Sequence, residues 1–353
     1  MNNFSEKLCA TYKEYGYSQY KMSKFEEYDL YVKNKDFLVS DNIITFTDLS
    51  GKLMALKPDV TLSIIKNSDE KNTVTKVYYD ENVYRVEKGS QSFKEIKQVG
   101  LECFGDIDDY CLLEVLKLAA KTLSSISSEY KLDISNLSIL TDVLDTCDIS
   151  TKCRNEILRC MGQKNLHEMA AILKANNVPD DVAYKLQTLA GLYGAPKDVL
   201  PKLKELLPGN ERVLELEKVL LALDDENAQI DFSVVNDIHY YNGIVFNGFV
   251  NGVADSVLSG GQYDNLMSRL KRDSKAVGFA LYVNMLEDFF YKPSEYDVDV
   301  LIIYNSDADL KALDLKATTL REKGQSVLVV SANLENIRAK KTMKFEGGEL
   351  IDA

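Results

Sequence analysis

The sequence predicts an α+β protein, with an antiparallel sheet core, a helical insertion and a small C-terminal βαβ unit. Three observations predict it. Two alternating segments lie between Lys76 and Gly105, joined by a polar turn. From about Leu132 to Asp225 the pattern changes to short amphipathic helices separated by Gly, Asn and Pro. From Asp297 onward an apolar strand, a helix and a second apolar strand follow in order. The expected boundaries are a core over 1–130 and 230–292, an insertion over 131–229, and a truncated α/β unit over 296–353.

Taken in order, Phe4, Leu8, Tyr12 and Tyr15 stand at helical spacing and Gly16 ends the helix. A strand-like segment follows near Tyr17 to Phe25. Asp48 to Gly51 is a turn between two strands. Lys57-Pro58-Asp59-Val60-Thr61 opens a helix over Leu62 to Asn67, where Asp59 and Thr61 are placed to cap free N–H groups.

In the first strand of the hairpin, alternation puts Val83, Arg85 and Glu87 on one face, Tyr84 and Val86 on the other. In the second, Gln98, Gly100 and Glu102 share a face opposite Val99, Leu101 and Cys103. One sheet face thus carries a guanidinium, two carboxylates and a carboxamide. Alternation fits either a solvated face or the floor of a pocket for a small polar ligand.

Asp106 to Ser128 reads as a helix with Leu112, Val115, Leu116 and Leu118 apolar. Strand signals return at Ile230. Gly243 to Val250, Asn251-Gly252 and Val253 to Leu258 form a hairpin signature. Gly260-Gly261 suits a tight turn better than a phosphate cradle. Val277 to Leu281 leads into a helix through Phe290. Asp297 to Tyr304, Asp307 to Lys323 and Ser326 to Val330 complete the βαβ unit.

With 353 residues, 45% hydrophobic and 27% charged, the chain has room for a sizeable core and two or three domains. Its opening, MNNFSEKLCATYKEYGY, is polar and helical in pattern, and no apolar run reaches membrane-spanning length. A cytoplasmic, non-secreted protein is expected. The six cysteines show no CxxC, and His167 and His239 lie far apart, so reduced thiols and no metal site are expected. The net charge of −13 disfavours DNA and tRNA, which reward clustered Lys and Arg. The basic run IRAKKTMK from Ile337 to Lys344 reads as a solvated helix face.

Four stretches stand in a telling order: FTDLSGKLMALKPDVT, VYRVE with KQVGLECFG, HYYNGIVF, and SGGQYDNL followed by VGFAL. Together they resemble the class II aminoacyl-tRNA synthetase core. The likeness is specifically to histidyl-tRNA synthetase and its non-synthetase relative, the regulatory subunit of ATP phosphoribosyltransferase. It runs through 1–130 and 230–290, more loosely beyond. Carried over by position, it implies an amino-acid pocket of Asp59, Thr61, Gln98, Glu102, Tyr240 and Tyr241. Arg85 matches the motif 2 arginine, which in synthetases binds the ATP α-phosphate. The residues alone equally allow ordinary strand packing for the tyrosines and an ion pair with Glu87 for Arg85.

The departures concern the phosphate side. Met285 stands at the motif 3 arginine, Asn236 at the histidine-specific catalytic arginine, Gln262 at the arginine before Tyr263, and Ser23 near the motif 1 proline. The motif 2 loop is the short KGSQSFKE. Each lost electrostatic partner typically costs on the order of 10²–10³ in rate. The resemblance therefore implies a subunit with no catalytic residues and no cofactor. Its expected partners are the short catalytic chain of ATP phosphoribosyltransferase, a second copy of itself, and histidine. The alternatives are a divergent histidyl-tRNA synthetase and a synthetase-like binding module with another partner.

Overall fold

The computed structural model describes residues 2–33, 43–68, 73–86, 92–235, 240–286, 289, 295–331 and 336–353. Helix α1 (Asn2–Glu14) buries Leu8 and Tyr12 and stops before Gly16, whose φ of +84° suits only glycine. The segment expected as one strand near 17–25 forms two short ones, β1 (Ser18–Gln19) and β2 (Phe25–Glu27). After α2 (Tyr28–Val32), strands β3 (Thr45–Thr47) and β4 (Leu53–Leu56) join β2 in a small antiparallel sheet ordered β2-β4-β3. Asp48 closes the β3–β4 turn as expected, its Oδ1 accepting from Ser50 N and Lys52 N, each at 2.8 Å. Helix α3 (Thr61–Asn67) follows, with Asp59 Oδ1 accepting from Leu62 N at 2.8 Å.

Strands β5 (Thr75–Val86) and β6 (Phe93–Gly105) pair antiparallel over their full length. Their connection falls outside the described residues. Helix α4 (Asp109–Ser124) is capped by Asp108 and buries Val115, Leu116 and Leu118. Strand β7 (Tyr130–Asn136) then enters the sheet, a correction to the expected helical stretch from 131. Its seven residues alternate, with Leu132 and Ile134 buried inward, too short a period-2 signal to separate from the helices that follow. Those are α5 (Leu137–Leu144), α6 (Thr151–Gly162), α7 (Leu166–Ala175), α8 (Asp180–Gly191), α9 (Pro196–Leu206) and α10 (Glu211–Leu223). Strands β8 (Tyr193–Gly194) and β9 (Ala228–Asp231) return to the sheet.

Strand β10 (Ile244–Val250) pairs with β11 (Leu258–Gln262), so the second hairpin strand starts at 258 and not at 253. Asn251-Gly252 does turn, but burial of Leu258 against the core, not the turn, sets the register. Gly260 and Gly261 are interior to β11 and form no turn. A Cβ on Gly261 would stand 2.7 Å from Ile244 O and 2.8 Å from Tyr241 Cδ1. Helix α11 (Asp264–Arg269), β12 (Lys275–Tyr282) and a 3₁₀ turn (Val283–Leu286) follow. The helix expected through Phe290 is a 3₁₀ turn over Val283–Leu286, and residues 287, 288 and 290 lie outside the described residues.

The nine-stranded sheet runs β1-β5-β6-β12-β11-β10-β7-β9-β8, antiparallel except at β1–β5 and β7–β9. One face packs Val99, Leu101 and Cys103 against α1 and α4. The other gathers Val77, Tyr79 and Val83 with α3 and α11. Residues 1–290 form one compact unit and 291–353 a second.

In the second unit, β13 (Val298–Tyr304), α12 (Leu310–Glu322), β14 (Val327–Val330), β15 (Ala339–Glu346) and β16 (Glu349–Asp352) form a sheet ordered β14-β13-β15-β16. The parallel β13–α12–β14 unit is joined by a β15–β16 hairpin. The basic run 337–344 is therefore largely strand. Met343 packs against the core containing Phe345, and β13 supplies the backbone partners that favour strand over helix.

Candidate functional site

Pairing brings the polar positions of β5 and β6 onto one face, because Val77 lies opposite Glu102 and Glu81 opposite Gln98. That face is not solvated: Gln98 is 4% and Glu102 2% exposed. Burial identifies it as a pocket floor. All seven residues singled out, Asp59, Thr61, Arg85, Gln98, Glu102, Tyr240 and Tyr241, line one cavity of about 290 Å³.

Glu102 is the deepest group. Its Oε1 accepts from Thr61 Oγ1 at 2.6 Å and its Oε2 from Tyr263 OH at 2.5 Å. Burial pushes its carboxyl up to about 8, against the opposing donors Thr61 and Tyr263, while nearby Asp59 adds to the rise. Asp59 is also raised by burial, offset by the Leu62 N–H and by the charges of Arg85 and Lys57. It therefore caps α3 and faces the cavity at once.

Arg85 Nε donates to Pro58 O at 2.9 Å, which fixes the guanidinium beside the loop carrying Asp59. Its expected partner Glu87 lies outside the described residues. The space above Gly100 is not free for a ligand. A Cβ there would meet Phe279 O at 2.2 Å and Tyr79 OH at 2.5 Å, so the glycine admits the Tyr79 phenol.

Aromatic rings form the walls. Tyr240 and Tyr241 meet edge to face at 4.7 Å, and Tyr240 lies 5.6 Å from Tyr263. Burial holds Tyr79, Tyr240, Tyr241 and Tyr263 well above their ordinary range, so all stay neutral donors. Sequence reasoning missed Tyr79, Tyr263 and Tyr282 as lining residues. Tyr79 was accessible, being two residues from Val77 on the same strand face. Tyr263 sits inside SGGQYDNL. Tyr282 reaches the site only through its register opposite Gln98, which no local pattern reveals.

The departures from the synthetase pattern have structural outlets. Gln262 Oε1 accepts from Ile244 N at 2.8 Å, clamping β11 to β10. Met285 packs against the main hydrophobic core. Ser23 Oγ accepts from Phe25 N at 3.1 Å. Asn236 lies outside the described residues. Among the described residues that line the cavity, Arg85 is the one cation. The six cysteines are free thiols. No described helix is long and apolar enough to cross a membrane.

The histidyl-tRNA synthetase family model matches residues 1–286. A protein of Caldanaerobacter subterraneus subsp. tengcongensis named ATP phosphoribosyltransferase regulatory subunit is 29% identical, covering 96% of this chain and 92% of its own. A solved structure from Bacillus halodurans, titled ATP phosphoribosyltransferase regulatory subunit/histidyl-tRNA synthetase, superposes with a TM-score of 0.77 at 22% identity. It covers 97% of this chain and 94% of that one. A chain of the ATP phosphoribosyl transferase (HisG:HisZ) complex from Thermotoga maritima gives a TM-score of 0.63 at 18% identity, covering 79% and 96%.

Proposed function

The chain belongs to the histidyl-tRNA synthetase family, and we propose that it is a non-catalytic regulatory subunit of ATP phosphoribosyltransferase, the first enzyme of histidine biosynthesis. In this role it activates the short catalytic chain and conveys histidine feedback to it. One observation carries the reading. The seven residues that the likeness assigns to an amino-acid pocket line one cavity, while Gln262 and Met285, at positions where the likeness expects arginines, bond Ile244 N and pack against the core.

The cavity volume agrees. About 290 Å³ is just under the roughly 300–1,000 Å³ of ordinary ligand pockets, which suits one amino acid better than an aminoacyl nucleotide. In this reading Asp59 takes the α-ammonium and Arg85 the carboxylate. Glu102, positioned by Thr61 and Tyr263, accepts from an imidazole N–H. Gln98 supplies a carboxamide contact, and Tyr240 and Tyr241 form an aromatic wall beside the ring. The synthetase-like unit also pairs with a second copy, and the assembly works in the cytoplasm.

Co-expression with the short catalytic chain tests this. Phosphoribosyl transfer should require this chain and fall as histidine is added. If the chains do not associate and activity is indifferent to this one, the reading fails. Histidine-dependent pyrophosphate exchange would then support a synthetase instead.

A further inference from the structure

The sheet face that floors the cavity continues beyond it, and its far end carries a second polar cluster. Register leads from Ser259 on the cavity wall to Asn247 of β10, then Asp133 of β7 and Gln229 of β9. Ser135 and Asp231 lie two residues further along β7 and β9, so they share that face. At roughly 4.8 Å per strand, Asp133 stands about 10 Å from Ser259.

Three oxygen atoms here lack partners, although the Gln229 side chain also shares a hydrogen bond with the Tyr193 hydroxyl. Ser135 is 0% exposed and its Oγ has no hydrogen-bond partner. Asp133 Oδ1 and Gln229 Oε1 are likewise buried without one. Asp231 is satisfied, accepting from Ser233 N and from Lys164 Nζ, each at 2.8 Å. The Tyr193 ring lies 4.7 Å from the same ammonium. Buried polar atoms without partners are costly, and three in one cluster point to an occupant.

We propose that Asp133, Ser135, Gln229 and Asp231 form a binding site for a monovalent alkali cation, potassium or sodium. The donors are carboxylate, hydroxyl and carboxamide oxygens, the set that hard cations take, and no thiol or imidazole is among them. Charge selects the valence. Lys164 is paired with Asp231 and Lys131 lies exposed at the rim, so the Asp133 carboxylate is the one charge inside the cluster without a close partner, which one monovalent ion balances. A divalent ion would leave a buried positive charge uncompensated. The site ties β7 to β9 and lies on the same sheet face as the cavity.

A proton is the competing occupant. Burial and Asp231 push the Asp133 carboxyl up to about 6, opposed by Lys164 and Lys131, so the ion is best sought at pH 8. Thermal unfolding of the full chain, at constant ionic strength maintained with choline chloride, provides the test. Potassium or sodium chloride should raise Tm saturably by about 2–4 °C. Asp133→Asn and Ser135→Ala should each abolish the response, the second serving if the first does not fold. Absence of a saturable rise with either ion, a rise retained in the variants, or a rise with magnesium or calcium alone would overturn the proposal.

Discussion

Glu102 and Gly278 face each other across β6 and β12, and a Cβ on residue 278 would stand 1.8 Å from Glu102 Oε2. The buried carboxylate occupies the space that any other residue would fill. Gly278→Ala must therefore push Glu102 off Tyr263 or part the strands. The expected cost is about 1–3 kcal/mol of stability, with loss of histidine binding. Chemical denaturation and calorimetric titration would check both, and unchanged binding would show that Glu102 does not contact the ligand.

Glu102 also makes stability depend on pH. Its carboxyl rises from 4.5 to about 8 on folding, so the folded state holds a proton that the unfolded state releases between those values. Stability from this group is present below about 4.5 and is lost as pH rises to about 8, with a limiting slope of about 1.4 kcal/mol per unit. Glu102→Gln should remove that slope and be relatively more stable at pH 8. Urea melts of both proteins from pH 5 to 8 measure the difference, which cancels the contribution of Asp133 and retains the coupling of Glu102 to Asp59. Parallel profiles would refute the shift.

Substitution of Arg85 should separate ligand sensing from assembly. Removing its charge-assisted contact in Arg85→Met should weaken histidine inhibition by roughly 10–100-fold, from a contact worth about 1.5–3 kcal/mol. Activation of the catalytic chain in the absence of histidine should stay within about twofold, since Arg85 lies inside the cavity. Inhibition curves on the reconstituted complex report both quantities. An unaltered inhibition constant would remove Arg85 from the histidine site.

Restoring the synthetase residue at position 262 should not restore the chemistry. Gln262→Arg breaks the bond to Ile244 N and leaves that N–H wanting, a cost of about 1–3 kcal/mol. Pyrophosphate exchange should remain at background while Tm falls. Measurable exchange in this single variant would mean that the phosphate side is nearly intact.

Much of the fold was legible because local chemistry and tertiary demand agree. Gly16 and Asp48 end or turn the chain by their own geometry, and alternation in β5 and β6 assigned Gln98 and Glu102 to a common face. The likeness to histidyl-tRNA synthetase then picked out the seven residues that converge on the cavity. Where the pattern was short or the partner distant, reading failed. Strand β7 hid in a helical stretch, and residues 339–344 became strand because β13 pairs with them. The β10–β11 register followed burial and not the Asn-Gly turn.

The sequence by itself determined which side chains could serve the site, and its likeness implied which phosphate-binding arginines are replaced. Only the tertiary structure decided that the polar face is buried as a cavity floor, that Tyr79 and Tyr282 help wall it, and that Glu102 holds its proton to about pH 8. The reason is physical. A residue type and its strand face are local properties, whereas burial, register and the desolvation that shifts a carboxyl arise from chain segments far apart in sequence.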